Sequence, residues 1–194
     1  MGPLSRDVRA FIAIDPPATV KDFLGTLSRE LQRSDANVKW VRPESIHITL
    51  KFLGEISFDC IPQLEQILPS VFSSQLPIQL SVRGIGSFPE RSRPRVIWAG
   101  LVDPSENLRS LAAAVDRVLE PLGFSREKRP FSPHLTLGRV QSHSGVKGLI
   151  ERVQQRAEVS GPSFVADHAI LFRSDLKPTG AVYSVLSRFP FHRD

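Results

Sequence analysis

Two stretches of the sequence place a histidine two residues before a threonine, and each ends in leucine. They read HITL at residues 47–50 and HLTL at residues 134–137. In a β-strand, residues i and i+2 point to the same face, so each imidazole would lie beside its hydroxyl. Histidine titrates near neutral pH, so one ring of a pair can be protonated while the other is neutral. Two such rings can act as acid and base on opposite sides of a reacting atom.

The threonines and nearby arginines would complete such a site for phosphate chemistry. Hydroxyl and guanidinium groups bind phosphate oxygens and stabilise the charge that develops during reaction. Few carboxylates flank the motifs: Glu44 and Glu55 lie near the first and none lies close to the second. This pattern argues against a binuclear metal site, and we expect neither metal nor cofactor. We interpret the other histidines as structural or solvent-exposed: His143, His168 and His192.

The composition is typical of a soluble globular protein. The chain has 194 residues, of which 41% are hydrophobic and 23% charged, which is ordinary for a folded domain. No apolar run approaches the roughly 18 residues needed to span a bilayer, and the first residues lack the apolar segment of a signal peptide. We therefore expect a cytoplasmic monomer with no membrane partner. The single cysteine, Cys60, cannot form an internal disulfide.

The charge balance favours an anionic partner. The formal net charge is +5, and the chain contains 19 arginines and 6 lysines. A basic surface of this kind fits nucleic acid. The segment PERSRPR at residues 89–95 carries Arg91, Arg93 and Arg95. These arginines would either follow an RNA backbone or form a solvated loop.

Hydrophobic periodicity predicts alternating strands and helices. The predicted strands cover 8–15, 47–56, 77–89, 96–102, 133–140, 165–176 and 181–191, and residues 38–43 are either a short strand or an extended connector. The predicted helices cover 18–34, 61–72 with Pro69 as a break, 105–123 and 146–158. Each half of the chain offers a buried strand, a helix and a strand that carries His-x-Thr-Leu. We therefore predict a duplicated, bilobal α+β fold of a single domain, residues 1–194. Each lobe would be an antiparallel sheet with helices on its outer side, and a pseudo-twofold axis would place both motifs in the cleft between the lobes.

Strict alternation also predicts where the residues after each motif point. It places Lys51 on the cleft side of its strand and Phe52 on the core side. It directs Arg139 away from the face of His134. Gly138, just before that arginine, permits a β-bulge that would turn Arg139 back.

With both motifs in place, the sequence resembles the 2H phosphoesterase superfamily, whose paired His-x-Thr-x signatures match HITL and HLTL. The segments FIAID, RVIWAG, PFSPHLTLGR and LFRSDLKPTGAVYSVL look like those of the bacterial and archaeal RNA 2′,3′-cyclic phosphodiesterases, historically called 2′-5′ RNA ligases. The resemblance covers nearly the whole chain in order. It implies a two-lobed α+β fold with a central cleft.

The resemblance also implies a reaction and residue roles. The reaction is metal-independent hydrolysis of a terminal 2′,3′-cyclic phosphate on RNA, which leaves a 2′-phosphate. It assigns His47 as the proton donor to the departing 3′ oxygen and His134 as the proton acceptor from water. Thr49 and Thr136 would bind the phosphate, and Arg139 would contact it. The residues alone leave the acid and base roles open, because the two motifs look equivalent.

The resemblance brings Phe52 to the terminal base, whereas alternation buries it in the core. Reversal of the hydrolysis would give weak 2′-5′ ligation of RNA. Two alternatives stay open: a 2′-5′ phosphodiesterase or an enzyme for small cyclic nucleotides of the same superfamily, and a non-catalytic RNA-binding protein. The two intact His-x-Thr pairs speak against the last, because a pure binding module has no requirement for matched acid and base residues.

Overall fold

The computed structural model describes residues 7–90, 93–178 and 180–192, which form two antiparallel β-sheets with helices. The first sheet has the strand order β3-β1-β8-β9 and consists of β1 (Asp7–Ile14), β3 (Ile48–Ser57), β8 (His168–Lys177) and β9 (Gly180–Pro190). The second has the order β2-β6-β5-β4-β7 and consists of β2 (Val38–Trp40), β4 (Ile78–Phe88), β5 (Val96–Val102), β6 (His134–Val140) and β7 (Ser160–Ala166).

Five α-helices connect the strands in the described ranges. They are α1 (Ala18–Leu31), α2 (Ile61–Ile67), α3 (Pro69–Phe72), α4 (Asn107–Leu119) and α5 (Val146–Gln155). Pro69 divides the helix predicted over 61–72, because proline cannot donate to the preceding turn. None of the helices in the described ranges is long and apolar enough to cross a membrane.

The strand prediction is wrong at one place. Strand β7 is absent from it, since Gly161 and Pro162 near its start are typical of a turn. The strand predicted over 165–176 accordingly begins too early, because Val165 and Ala166 belong to β7 and β8 starts at His168.

The two halves of the chain have matching topology. The order β1-α1-β3 in the first half corresponds to β5-α4-β6 in the second. Across the sheets, β3-β1-β8-β9 corresponds to β6-β5-β4-β7, and β2 is added beside β6. Strands β3 and β6, which carry the two motifs, contact each other where the sheets meet. The predicted two-lobed α+β fold is therefore confirmed.

The helices pack crosswise between the halves. Helix α1 follows β1 of the first sheet but packs on β7 of the second, where a Cβ at Gly161 would lie 2.5 Å from the Phe23 ring. Helix α4 follows β5 of the second sheet but contacts β3 of the first. There, Lys51 Nζ lies 2.5 Å from Asp116 Oδ1 and 2.6 Å from the Ser125 carbonyl oxygen. Each lobe is thus covered partly by a helix from the other half.

This crosswise packing produces a main apolar core that both sheets share, beside a small cluster of Phe11, Ala13, Ile170 and Phe172. Buried residues of both sheets belong to the same cluster, among them Ile12 and Ile48 of the first sheet and Ile97 and Leu135 of the second. Each fully buried side chain of this kind stabilises the fold by about 1.5–3 kcal/mol relative to an exposed one. The core therefore fixes the backbones of β3 and β6 relative to each other.

Candidate active site

The two motif histidines occupy equivalent positions and make the same hydrogen bond. His47 immediately precedes β3, and His134 is the first residue of β6. His47 Nδ1 lies 2.9 Å from the carbonyl oxygen of Ser45, and His134 Nδ1 lies 2.8 Å from that of Ser132. A carbonyl oxygen only accepts, so Nδ1 carries the proton in both rings. This leaves Nε2 of each ring as the nitrogen that can exchange a proton.

A β-bulge after the first motif changes which residues face the cleft. Phe11 of β1 pairs with Phe52, and Ala13 pairs with Thr49, so two residues of β3 lie opposite a single residue of β1. The extra residue restores Phe52 to the face of Thr49, where its side chain is 60% exposed, and leaves Lys51 buried. The placement of Lys51 and Phe52 by strict alternation is therefore wrong.

The second motif is followed by the same kind of bulge. Thr136 pairs with Trp98, while Gly138 pairs with the preceding residue of β5, so Leu137 is the extra residue. The bulge lies beside Gly138, as the sequence allowed, and Arg139 faces the same side as Thr136. The direction that strict alternation gave for Arg139 is wrong for the same reason as in β3.

Burial and nearby charges, one of them from the second sheet, change the pKa of His47. Burial lowers the pKa of His47 below its usual 6.5, and the positive charges of Lys21 and Arg139 lower it further. The hydrogen bond to the Ser45 carbonyl and the negative charge of Asp15 oppose this shift. Arg139 belongs to the second sheet, so a charge from that sheet lies near enough to the His47 ring to act on it.

Aromatic side chains surround the His47 ring. Its centroid lies 4.6 Å from that of Phe11, 6.4 Å from that of Phe172 and 5.2 Å from that of Tyr183, which it meets edge to face. Burial raises the pKa of Tyr183, although the charge of Arg139 partly offsets this, so its hydroxyl remains protonated at neutral pH. These three rings, which lie on β1, β8 and β9, were not identified from the sequence.

A cavity of about 300 Å³ opens beside these rings. Its lining combines the rings of His47, Phe172 and Tyr183 with the charged side chains of Asp15, Arg42 and Glu44. An aromatic wall with polar groups around it is a common lining for a small organic ligand. The serines that hold the histidines were also missed, although the repeat Ser-x-His-x-Thr-Leu at 45–50 and 132–137 contains them.

The other histidine candidates have their own partners or face solvent. His168 bonds to Asp167 and Arg188, in agreement with a structural role, and His143 is exposed. Arg91 lies outside the described residues. Within the described ranges, no group of three or more histidine, cysteine, aspartate or glutamate side chains is arranged to hold a metal ion.

Comparison with known proteins decides the family. A family model described as LigT-like phosphoesterase matches residues 14–98 and 101–183, which include both motifs. The chain belongs to the LigT-like phosphoesterase family. The resemblance to 2H phosphoesterases and the expectation of a hydrolase that acts on phosphate esters are thereby confirmed.

Curated relatives of this LigT-like protein span its length. It is 36% identical to the RNA 2′,3′-cyclic phosphodiesterase of Archaeoglobus fulgidus, over 94% of this chain and 99% of that protein. It is 35% identical to the protein of the same name from Methanocaldococcus jannaschii, over 94% of this chain and all of that protein.

Solved structures agree on the fold. A crystal structure of a Thermus thermophilus protein superposes with a TM-score of 0.80 at 28% identity, covering 94% of this chain and 97% of that one. Escherichia coli LigT complexed with 3′-AMP superposes with a TM-score of 0.76 at 24% identity, covering 96% and 99% of the two chains. The second likeness supports the two-lobed fold alone.

Proposed function

We propose that this LigT-like phosphoesterase hydrolyses the terminal 2′,3′-cyclic phosphate of RNA to a 2′-phosphomonoester. It would do so as a monomer, without a metal ion, by acid and base catalysis from His47 and His134. The observation that carries the proposal is the pair of equivalent imidazoles, each tied through Nδ1 to a backbone carbonyl and each two residues before a threonine. The name of the curated relatives supports the choice of substrate.

The proposed reaction is a single in-line displacement at phosphorus. Water attacks opposite the 3′ oxygen, and Nε2 of His134 accepts a proton from the water. The bond between phosphorus and the 3′ oxygen breaks, and Nε2–H of His47 donates its proton to that oxygen. The ester bond to the 2′ oxygen remains. After one cycle His134 is protonated and His47 neutral, so exchange with solvent restores both rings.

The negative charge on phosphate oxygens would be stabilised by groups on the same faces as the histidines. Thr49 and Thr136 supply hydroxyl donors, and the guanidinium of Arg139 supplies a positive charge. Phe52 is exposed on the face of Thr49, and its ring centroid lies 6.1 Å from that of Phe11. We propose that Phe52 contacts the terminal base, since bases stack on exposed aromatic rings.

The lowered pKa of His47 bears on its role. In the empty site burial favours the neutral ring, whereas a proton donor must be protonated. A bound phosphate places negative charge beside the ring and raises its pKa. His47 would therefore gain its proton together with the substrate. The assignment of donor to His47 and acceptor to His134 follows the family resemblance, because both rings have the same hydrogen-bonding pattern.

The test compares three substrates in the presence of EDTA: RNA that ends in a 2′,3′-cyclic phosphate, a linear 2′-5′ dinucleotide, and a mononucleotide 2′,3′-cyclic phosphate. We expect rapid turnover of the RNA, with the 2′-phosphate as the only product. Alkaline hydrolysis, which yields both the 2′- and the 3′-phosphate, provides the chromatographic standard. A 3′-phosphate product or full dependence on added Mn²⁺ would contradict the mechanism.

The same assay separates the alternatives. Preference for the linear dinucleotide would favour a 2′-5′ phosphodiesterase, and preference for the mononucleotide would favour an enzyme for small cyclic nucleotides. Binding of RNA without turnover would favour a non-catalytic RNA-binding protein. Weak ligation would be the reverse reaction, in which a 5′ hydroxyl of RNA attacks in place of water, and is tested by adding an RNA with a free 5′ hydroxyl.

A further inference from the structure

A second aromatic surface lies beside His134, on the opposite sheet from the rings around His47. The Phe88 ring meets the His134 ring edge to face, with centroids 5.3 Å apart. The Trp98 ring follows at 5.1 Å from Phe88. Trp98 pairs across the sheet with Thr136, so its side chain lies next to the proposed phosphate site. The proposed acid and base chemistry uses neither ring.

A glycine allows the indole to lie against the sheet. Trp98 pairs with Gly86 of β4, and a Cβ at that position would lie 2.3 Å from the indole ring. Any side chain there would push the ring away from the strand. The Trp98 side chain nevertheless remains partly exposed. The surface therefore presents aromatic area to solvent directly beside a catalytic candidate.

Positively charged residues lie near these two rings. The backbone of Arg95 lies beside Phe88, because the Arg95 amide donates to the Phe88 carbonyl at 2.7 Å and the Arg95 carbonyl accepts from Val140 at 2.9 Å. Lys39 of β2 pairs with Arg139 of β6. The side chains of these two residues therefore lie on the same face of the sheet, which is also the face of Thr136. We use the name rim for the exposed cations of β2, of β6 and of the residues just before β5, which are Lys39, Arg139, Arg93 and Arg95. Within the described part of the chain, none of the four takes part in an ion pair.

We infer that Phe88 and Trp98, with the rim of Lys39, Arg93 and Arg95, form a second nucleoside subsite that binds the RNA nucleotide preceding the terminal one. Aromatic faces interleaved with cations match the alternation of base and phosphodiester in single-stranded RNA. The rings around His47 and the exposed Phe52 belong to the first sheet, so the terminal and preceding nucleotides would use different sheets. This inference rests on the proposed function.

The experiment measures chain-length preference. We compare kcat/KM for uridine 2′,3′-cyclic phosphate with kcat/KM for the uridine dinucleotide that ends in the same group. The wild type is expected to prefer the dinucleotide by about 10-fold or more, because stacking of one base on an aromatic side chain has an effect of this size. In Trp98→Leu the preference should fall toward one. In Arg93→Ala/Arg95→Ala the preference should fall and depend less on salt concentration.

Two variants away from the subsite serve as matched controls. Phe58→Leu removes another exposed ring, and Arg33→Ala removes another exposed arginine. Both should keep the wild-type preference. Equal kcat/KM values for the two substrates in the wild type would overturn the inference, as would a Trp98→Leu variant with the wild-type preference. If the wild type hydrolyses neither substrate, the proposed function itself fails.

A binding measurement covers the case in which Trp98→Leu does not fold. The chain has two tryptophans, so Trp98 is the sole tryptophan in a Trp40→Phe background. The uridine dinucleotide that ends in a 2′-phosphate should quench this fluorescence at concentrations where uridine 2′-phosphate leaves it unchanged. Identical curves for the two ligands, or no quenching by the dinucleotide, would contradict a base stacked on Trp98.

Discussion

His47 and His134 share one backbone contact but differ in what surrounds the ring. The contact is a hydrogen bond from Nδ1 to the carbonyl oxygen two residues earlier, and it orients both Nε2 atoms. Around His47 lie Phe11 and Tyr183, whereas His134 meets Phe88. The paired motif was readable from sequence because His-x-Thr-Leu is local. The aromatic neighbours come from strands that are distant along the chain, so no local sequence pattern predicted their contacts with the histidines.

The burial of His47 makes the stability of the fold depend on pH. Its pKa is lowered in the folded state, so the unfolded chain binds more protons below about pH 6.5. This contribution to stability is fully present above pH 6.5 and is lost as the pH falls from there toward the lowered pKa. We expect the free energy of unfolding of the wild type to decrease more between pH 7.5 and pH 5 than that of His47→Gln. Urea unfolding at the two pH values measures this difference.

Arg139, the cation that acts on His47 from the second sheet, provides a control for the lowered pKa of His47. Arg139 lowers the pKa of His47, so Arg139→Gln should raise it while leaving the ring in place. Titration of the imidazole signals by NMR measures the pKa directly, and the 2′-phosphate product should raise it in the wild type. A His47 pKa above 6.5 in the free wild-type protein would contradict the account of its burial.

At the scale of single elements, the two bulges explain where sequence reasoning failed. Period-2 alternation holds for Thr49 and Thr136, because they lie before the extra residue of each strand. It fails for Phe52 and Arg139, because one inserted residue moves the side chains that follow it to the other face. Gly138 made one bulge foreseeable, whereas β3 has no glycine until position 54.

Lys51 is buried at the position where alternation had placed Phe52, and its contacts lead to a testable prediction. Lys51 donates to Asp116 of α4 and to the Ser125 carbonyl, so it ties β3 to the segment that leads toward His134. Lys51→Met should lower the free energy of unfolding by about 3 kcal/mol, because it leaves a largely buried carboxylate without its partner. Urea denaturation measures this loss.

A second ion pair is the matched control. Lys21 and Asp15 are also 2.5 Å apart, but the aspartate side chain is 35% exposed. Lys21→Met should therefore cost less than about 1 kcal/mol. Equal stability of Lys51→Met and the wild type would show that the buried pair does not hold β3.

At the scale of the whole molecule, the chain consists of two matching halves, and each half packs a helix on the sheet of the other. The sequence predicted two matching halves from their order of elements. It did not reveal that α1 packs on the second sheet and α4 on the first, because the periodicity of a helix shows that a face is buried but not what covers it. The result is a shared core rather than two separate ones.

A shared core predicts that both sheets unfold in one cooperative step. The single tyrosine, Tyr183, lies in the first sheet, and both tryptophans lie in the second. A fluorotyrosine label and tryptophan fluorescence should therefore report the same midpoint in urea. Two separate midpoints would mean that the lobes are independent domains.

The central claim is that His47 and His134 together perform the reaction. The most direct test is kcat/KM of His47→Ala, His134→Ala and the double variant on RNA that ends in a 2′,3′-cyclic phosphate, with EDTA present and folding verified by circular dichroism. We predict that each single variant loses 10²- to 10⁴-fold and that the double variant is no faster than the slower single one. Wild-type turnover by either single variant or by the double variant would contradict the claim.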